Sequence, residues 1–138
     1  MNIAAVVADA NVLLSAAVGK AARRVFDEFG VVVHAAEFTC REVEEYLPLM
    51  AAKFRLEKDL VLLSWELLPL NIHRFSRYKR QYPRALVELK DRDPEDAHAL
   101  ALARALRLPL WSNDRDLEKR GLRIYPTARL LKALDRRS

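Results

Sequence analysis

Short apolar runs, each closed by polar or acidic residues, restrict what this chain can fold into. Ile3-Ala4-Ala5-Val6-Val7-Ala8 ends at Asp9. Val31-Val32-Val33 leads into the amphipathic stretch that carries Glu42, and Leu108-Pro109-Leu110-Trp111 passes through Ser112-Asn113 into Asp114. Runs this short and this uniformly apolar read as strands buried on both faces, because a strand with one wet face alternates. Interleaved with helical periods, they predict an α/β fold: one parallel sheet covered by helices on both faces. Strand order is not readable from the pattern.

The remaining elements follow from punctuation. A helix is expected from Ala10 through the twenties, broken near Gly19 and ended at Gly30. Val43, Leu47, Met50 and Phe54 recur at helical spacing between Glu37 and Phe54, with Pro48 expected to kink or split that helix. A second helix follows over 56–67, then a short strand near Leu68-Pro69-Leu70. Another helix runs from His73 to Lys90, interrupted near Pro83. Asp93-Pro94-Glu95-Asp96 combines an Asp cap, an early Pro and acids in the first turn, a strong helix start. The helix after it is apolar almost all round, so it should lie buried on the sheet. A short helix from Asp114 to Gly121, a strand at 123–125 and a final helix capped by Thr127 complete the chain.

With 138 residues, no linker-like segment and no repeat, the chain is expected to be one domain spanning 1–138. No apolar stretch reaches the roughly 18 residues of a membrane span, and no basic leader precedes the first strand, so a cytoplasmic protein without a membrane partner is expected. A single cysteine, Cys40, excludes an internal disulfide and a multi-cysteine zinc site. The net charge of +5 favours a polyanionic partner. Arg74, Arg77, Lys79, Arg80 and Arg84 crowd one segment and are the candidate contacts to such a partner, or else a solvated helix face.

Against that basic whole stand acids at the strand ends and helix starts. In an open α/β sheet these positions converge on one edge, where ligands bind. Two carboxylates about 4 Å apart repel by roughly 4 kcal/mol at an effective dielectric near 20. A gathering of them therefore calls for a cation. Asp9 projects from such an edge, or caps the helix after it; Asn11 adds a second oxygen-bearing side chain. On the next helix Glu45 falls opposite the buried stripe, while Glu42 and Glu44 fall on its two boundaries, and periodicity does not choose between them. Asp93 and Asp96 serve equally as helix-start acids. Asp114 follows Ser112 and Asn113, with Asp116 beyond. Asp91 and Glu95 are expected in solvent. His34, His73 and His98 lack metal-ligand spacing and are expected at the surface.

Taken in order, Asp9-Ala10-Asn11-Val12-Leu13-Leu14-Ser15-Ala16, Glu37 to Glu42, Asp93-Pro94-Glu95-Asp96 with its Ala/Leu helix, and Trp111-Ser112-Asn113-Asp114 resemble PIN domains. The resemblance covers essentially the whole chain. It implies a parallel sheet between helices and an Mg2+- or Mn2+-dependent ribonuclease, often the VapC-type toxin of a pair with an antitoxin. By position, it assigns Asp9, Glu42, Asp96 and Asp114 as catalytic and metal-binding acids, and so favours Glu42 over Glu44. Asn11, Asp93, Ser112, Asn113 and Asp116 become accessory residues, with RNA, an antitoxin and a second copy of the chain as partners. Two other readings remain: a non-catalytic RNA- or protein-binding module of the same fold, and a different phosphoryl-transfer enzyme with Asp9 as nucleophile.

Overall fold

Five strands pair in parallel in the order β3-β2-β1-β4-β5. They are β1 (Ala5–Ala8), β2 (Val32–Ala36), β3 (Leu70–His73), β4 (Leu110–Trp111) and β5 (Ile124–Tyr125). The computed structural model describes residues 3–91, 93–114, 117 and 123–136. The helices are α1 (Ala10–Ala17), α2 (Arg23–Glu28), α3 (Glu37–Lys53), α4 (Lys58–Glu66), α5 (Tyr82–Glu88), α6 (Asp96–Leu106) and α7 (Thr127–Asp135).

Alternate residues of the strands feed two cores. Val6, Ala8, Val33 and Ala35 pack with α1, α3 and α7, while Val7, Ala36 and Leu110 pack with α6. The expected sheet covered on both faces is therefore what forms. Helix α6 carries Ala97, Ala99, Leu100, Ala101, Leu102 and Ala103 in fully apolar surroundings. Small residues let it lie close to the strands, and each buried Leu contributes about 1.5–3 kcal/mol.

Several elements depart from the sequence expectation. Helix α3 is neither split nor ended at Pro48, which sits inside it on the exposed side. The burial of Val43, Leu47 and Ala51 along one face holds both halves to the same core and offsets the missing N–H. The stretch from His73 to Lys90 is not one helix. His73 ends β3, a 3-10 turn covers Phe75–Arg77, and Pro83 lies in the first turn of α5. Pro fits there because first-turn N–H groups have no intrahelical partner. The strand expected at 68–70 begins only at Leu70. Thr127 does not cap α7 as expected: Pro126 holds that position, and the Thr127 hydroxyl accepts the Trp111 Nε1–H at 3.0 Å.

The histidines are not surface residues either. His98 is only 9% exposed, with its Nδ1 2.6 Å from the Tyr78 hydroxyl. Half-buried His34 and His73 lie on neighbouring strands, with Nδ1 and Nε2 2.8 Å apart. Their aromatic bodies pack while one ring nitrogen of each finds a partner within the protein. Residues 115, 116 and 118–122, where a short helix and Asp116 were expected, lie outside the described residues.

Candidate active site

Because all five strands run parallel, their carboxyl ends share one edge. Asp9 follows β1, Glu37 follows β2, Arg74 follows β3 and Ser112 follows β4. The chain winds outward from β1 to β3 and then crosses back to β4 on the other side of β1. The crevice between β1 and β4 is thus the topological switch point, where open α/β sheets bind ligands.

Asp9 and Asp114 flank that crevice. Asp9 is 3% exposed; its Oδ1 accepts the Val12 N–H at 3.0 Å, and the buried Ser112 hydroxyl bonds its carboxyl group. Burial pushes Asp9 up to about 6 and the Asp114 charge adds to that, while the bonds from Ser112 and Val12 work the other way. Both sequence readings of Asp9 are thereby realised at once, since the same carboxylate caps α1 and faces a second acid. Ser112 also accepts the Asp114 N–H at 3.1 Å, holding the two sides of the crevice in register. Asn113 points elsewhere: its Oδ1 accepts the Thr127 N–H at 2.8 Å and ties α7 to the edge.

A second acidic group forms where α3 meets the start of α6. Carboxylate oxygens of Glu42, Asp93 and Glu95 lie within 4.8 Å of one another. Burial pushes Glu42 up to about 8, followed by the hydrogen bond it shares with Glu95 and by the charges of Glu95, Asp93 and Asp96. Two carboxyl groups this close hold a proton between them when no cation is present. Glu95 is therefore half-buried in an acidic cluster and not in solvent, as the sequence had suggested. Asp93 also accepts the Glu95 N–H at 3.0 Å, so it both starts the turn into α6 and faces Glu42.

Glu44 lies on the other side of α3, where it accepts the Trp65 Nε1–H at 3.3 Å, and Glu45 is exposed. The structure thus separates the two boundary glutamates that periodicity left equal. Asn11 lines a cavity of about 390 Å3 together with Glu42, Asp93 and Glu95. Tyr46 and Lys53 line it too. Sequence reasoning passed over Lys53, although it lies three helical turns beyond Glu42 on the same side of α3. Of the basic segment, Arg77 and Arg80 are exposed, whereas Arg84 pairs with Glu88 at 3.2 Å.

Sheet order and acidic carboxyl edge define a doubly wound α/β protein with acids gathered around its switch point. The PIN domain family model matches residues 7–135, and the chain belongs to that family. Its fold is similar to that of a chain of a toxin–antitoxin complex from Klebsiella pneumoniae, at 19% identity and a TM-score of 0.63, covering 88% of this chain and 97% of the other. VapBC2 from Rickettsia felis, bound to a DNA fragment from their promoter, gives 14% identity and 0.64 over 88% and 97%. Mycobacterium tuberculosis VapC20, a sarcin-ricin loop cleaving toxin, gives 16% identity and 0.59 over 85% and 95%. A sequence comparison with curated proteins finds no match. Among the described residues, no helix is long and apolar enough to cross a membrane.

Proposed function

We propose that the protein is a divalent-metal-dependent endoribonuclease. One observation carries this reading: Glu42, Asp93 and Glu95 bring carboxylate oxygens within 4.8 Å of one another, a separation unfavourable without a cation, and buried Asp9 feels the charge of Asp114 across the β1–β4 crevice. Membership of the PIN domain family supports it, as does the structural likeness to VapC20. Hard carboxylate oxygens suit Mg2+ or Mn2+, with Asp9, Asp96 and Asp114 as ligands and Glu42 as ligand or water-orienting base. When bound, such an ion supplies positive charge against the scissile phosphate and lowers the pKa of water.

The chain's own residues do the rest. The Val12 N–H and Ser112 hydroxyl fix the Asp9 carboxylate, so its geometry does not wait on substrate. Burial and the neighbouring acids raise Glu42 to about 8 while no cation is present, and a bound cation would favour its carboxylate form, the form that accepts a proton from water. Asp93 orders the turn that carries Glu95 and Asp96. Lys53, in the same cavity as Glu42, is placed to meet phosphate.

The likeness to proteins of toxin–antitoxin complexes supports a toxin role with an antitoxin partner. An apolar stripe, Leu56, Leu60, Leu63 and Leu67, runs exposed along α4 and its flanks at helical spacing. It fits the apolar face of a partner segment. The test is incubation of the purified protein with end-labelled RNA and Mn2+ or Mg2+. Internal cuts that stop with EDTA support the nuclease. Mn2+ binding without cleavage of any RNA would sink it in favour of a binding module, and an aspartyl phosphate trapped on Asp9 would favour the phosphoryl-transfer alternative.

A further inference from the structure

Beside the carboxylates lies a second cavity, of about 500 Å3, lined by Phe38, Phe75, Tyr78, His98, Arg41 and Arg74. The two sites are adjacent rungs of one seam. Phe38 precedes Glu42 by one turn of α3, and His98 follows Glu95 by one turn at the start of α6. A helical turn advances about 5.4 Å. The Phe38 and His98 rings stack with centroids 3.9 Å apart and planes 14° from parallel, just as Glu42 and Glu95 pair on the next rung.

This aromatic group is built rather than incidental. The Tyr78 hydroxyl holds His98 Nδ1 at 2.6 Å, and Phe75 meets Tyr78, Tyr82 and His98 edge-on. Yet Phe38 and Phe75 remain 40% and 41% exposed, where side chains of their kind are commonly buried. Arg41 lines the same cavity but is ion-paired to Glu37, which lines it too, whereas among the described residues no ion pair engages Arg74. Half-exposed aromatic rings beside guanidinium groups match a nucleotide, whose base has a π face and whose phosphate is anionic. A plain apolar groove for a protein segment would not need Arg74.

We propose that this cavity is a base-stacking subsite that takes an unpaired nucleotide of an RNA strand whose neighbouring phosphate lies at the carboxylates. The proposal rests on the ribonuclease reading and narrows its substrate to a single-stranded or looped region, because a paired base has no free face. Arg74 holds the nucleotide's own phosphate, and the base packs against both Phe38 and Phe75. Tyr78 and His98 act as positioning residues behind them.

The test uses a short single-stranded oligoribonucleotide carrying one 2-aminopurine, whose fluorescence falls on stacking, in EDTA at low salt. Wild-type protein should bind it with quenching. Phe38→Ala and Phe75→Ala should each weaken binding by about ten- to a hundredfold, as loss of an aromatic stack predicts. Phe75→Trp should keep both affinity and quenching, and the substitutions should not alter binding of an RNA duplex. Both phenylalanines are partly exposed, so the variants should keep the wild-type circular dichroism.

Absence of quenching in wild type would overturn the proposal. So would Phe75→Trp failing as badly as Phe75→Ala, or unchanged RNA affinity in variants that instead lose a protein partner. Because no divalent ion is present, failure of the nuclease reading shows separately, as quenched binding without cleavage when Mn2+ is added. Cleavage with unchanged KM in both alanine variants would sink the subsite and leave the nuclease standing.

Discussion

Asp9 carries two duties that oppose each other. It caps α1 through the Val12 N–H, and it does so as a carboxyl group buried near Asp114. A carboxyl raised from 3.8 to about 6 in the folded protein binds its proton more tightly there than in the unfolded chain. The stability this gives is fully present below pH 3.8 and is lost as pH rises through about 6. The cost above that range is on the order of 3 kcal/mol, at about 1.4 kcal/mol per pKa unit. Metal-free Asp9→Asn should therefore be more stable than wild type at pH 8, by roughly 1–3 kcal/mol, since Asn caps as well as Asp. Urea unfolding at pH 5 and pH 8 measures this, and a less stable Asn variant at pH 8 would reduce Asp9 to a helix cap. Asp9 was legible because an acid directly after a buried strand has one edge to go to. Glu95 was not: its place beside Glu42 depends on how α3 crosses the start of α6, a tertiary relation that no local pattern carries.

Elements were legible where one physical cue dominated. The buried Ala/Leu helix α6 follows from hydrophobicity on all sides, but its start lies later than the Asp93-Pro94 signal: α6 begins at Asp96 after Glu95, and Asp93 accepts the Glu95 N–H in the turn before it. Pro83 did mark a break, since α5 begins at Tyr82, but Pro48 does not split α3, because proline constrains the backbone without saying whether packing will hold the helix together around it. The end of α6 had no glycine to mark it. Arg107 occupies the left-handed position at φ 57°, and the Leu108 N–H closes the helix on the Ala103 carbonyl at 3.0 Å. A residue with a Cβ in that region costs about 1 kcal/mol more than glycine. Arg107→Gly should accordingly raise the midpoint of thermal unfolding by a few degrees. A lower midpoint would mean that the arginine side chain stabilises the helix end by more than the strain it imposes.

Across the whole molecule, a net positive charge coexists with the acids of the carboxyl edge. The net charge of +5 favours RNA in general, while the carboxylates repel phosphate until a cation joins them. Arg77 and Arg80 are exposed in the segment after β3, whose end lies on the active edge. If they meet phosphate, log affinity for single-stranded RNA falls with log salt by about 0.7 per counterion released. Replacing both by Ala should flatten that slope by about 1.4, two contacts at about 0.7 each, and leave metal affinity intact; an unchanged slope would place the RNA path elsewhere.

The central claim is that the carboxylates at this edge hold a divalent ion. Calorimetric titration of the metal-free protein with Mn2+ at pH 6 and pH 8 tests it most directly. Binding should be tighter at pH 8 and should release protons, because the ion displaces those that Asp9 and Glu42 retain at about 6 and about 8. Asp9→Asn and Glu42→Gln should each weaken it by at least about tenfold, given that one carboxylate–cation contact is worth more than the 1.4 kcal/mol of a tenfold change. Exposed Glu45→Gln should leave it unchanged. Mn2+ affinity equal in all four proteins, or independent of pH, would contradict the account.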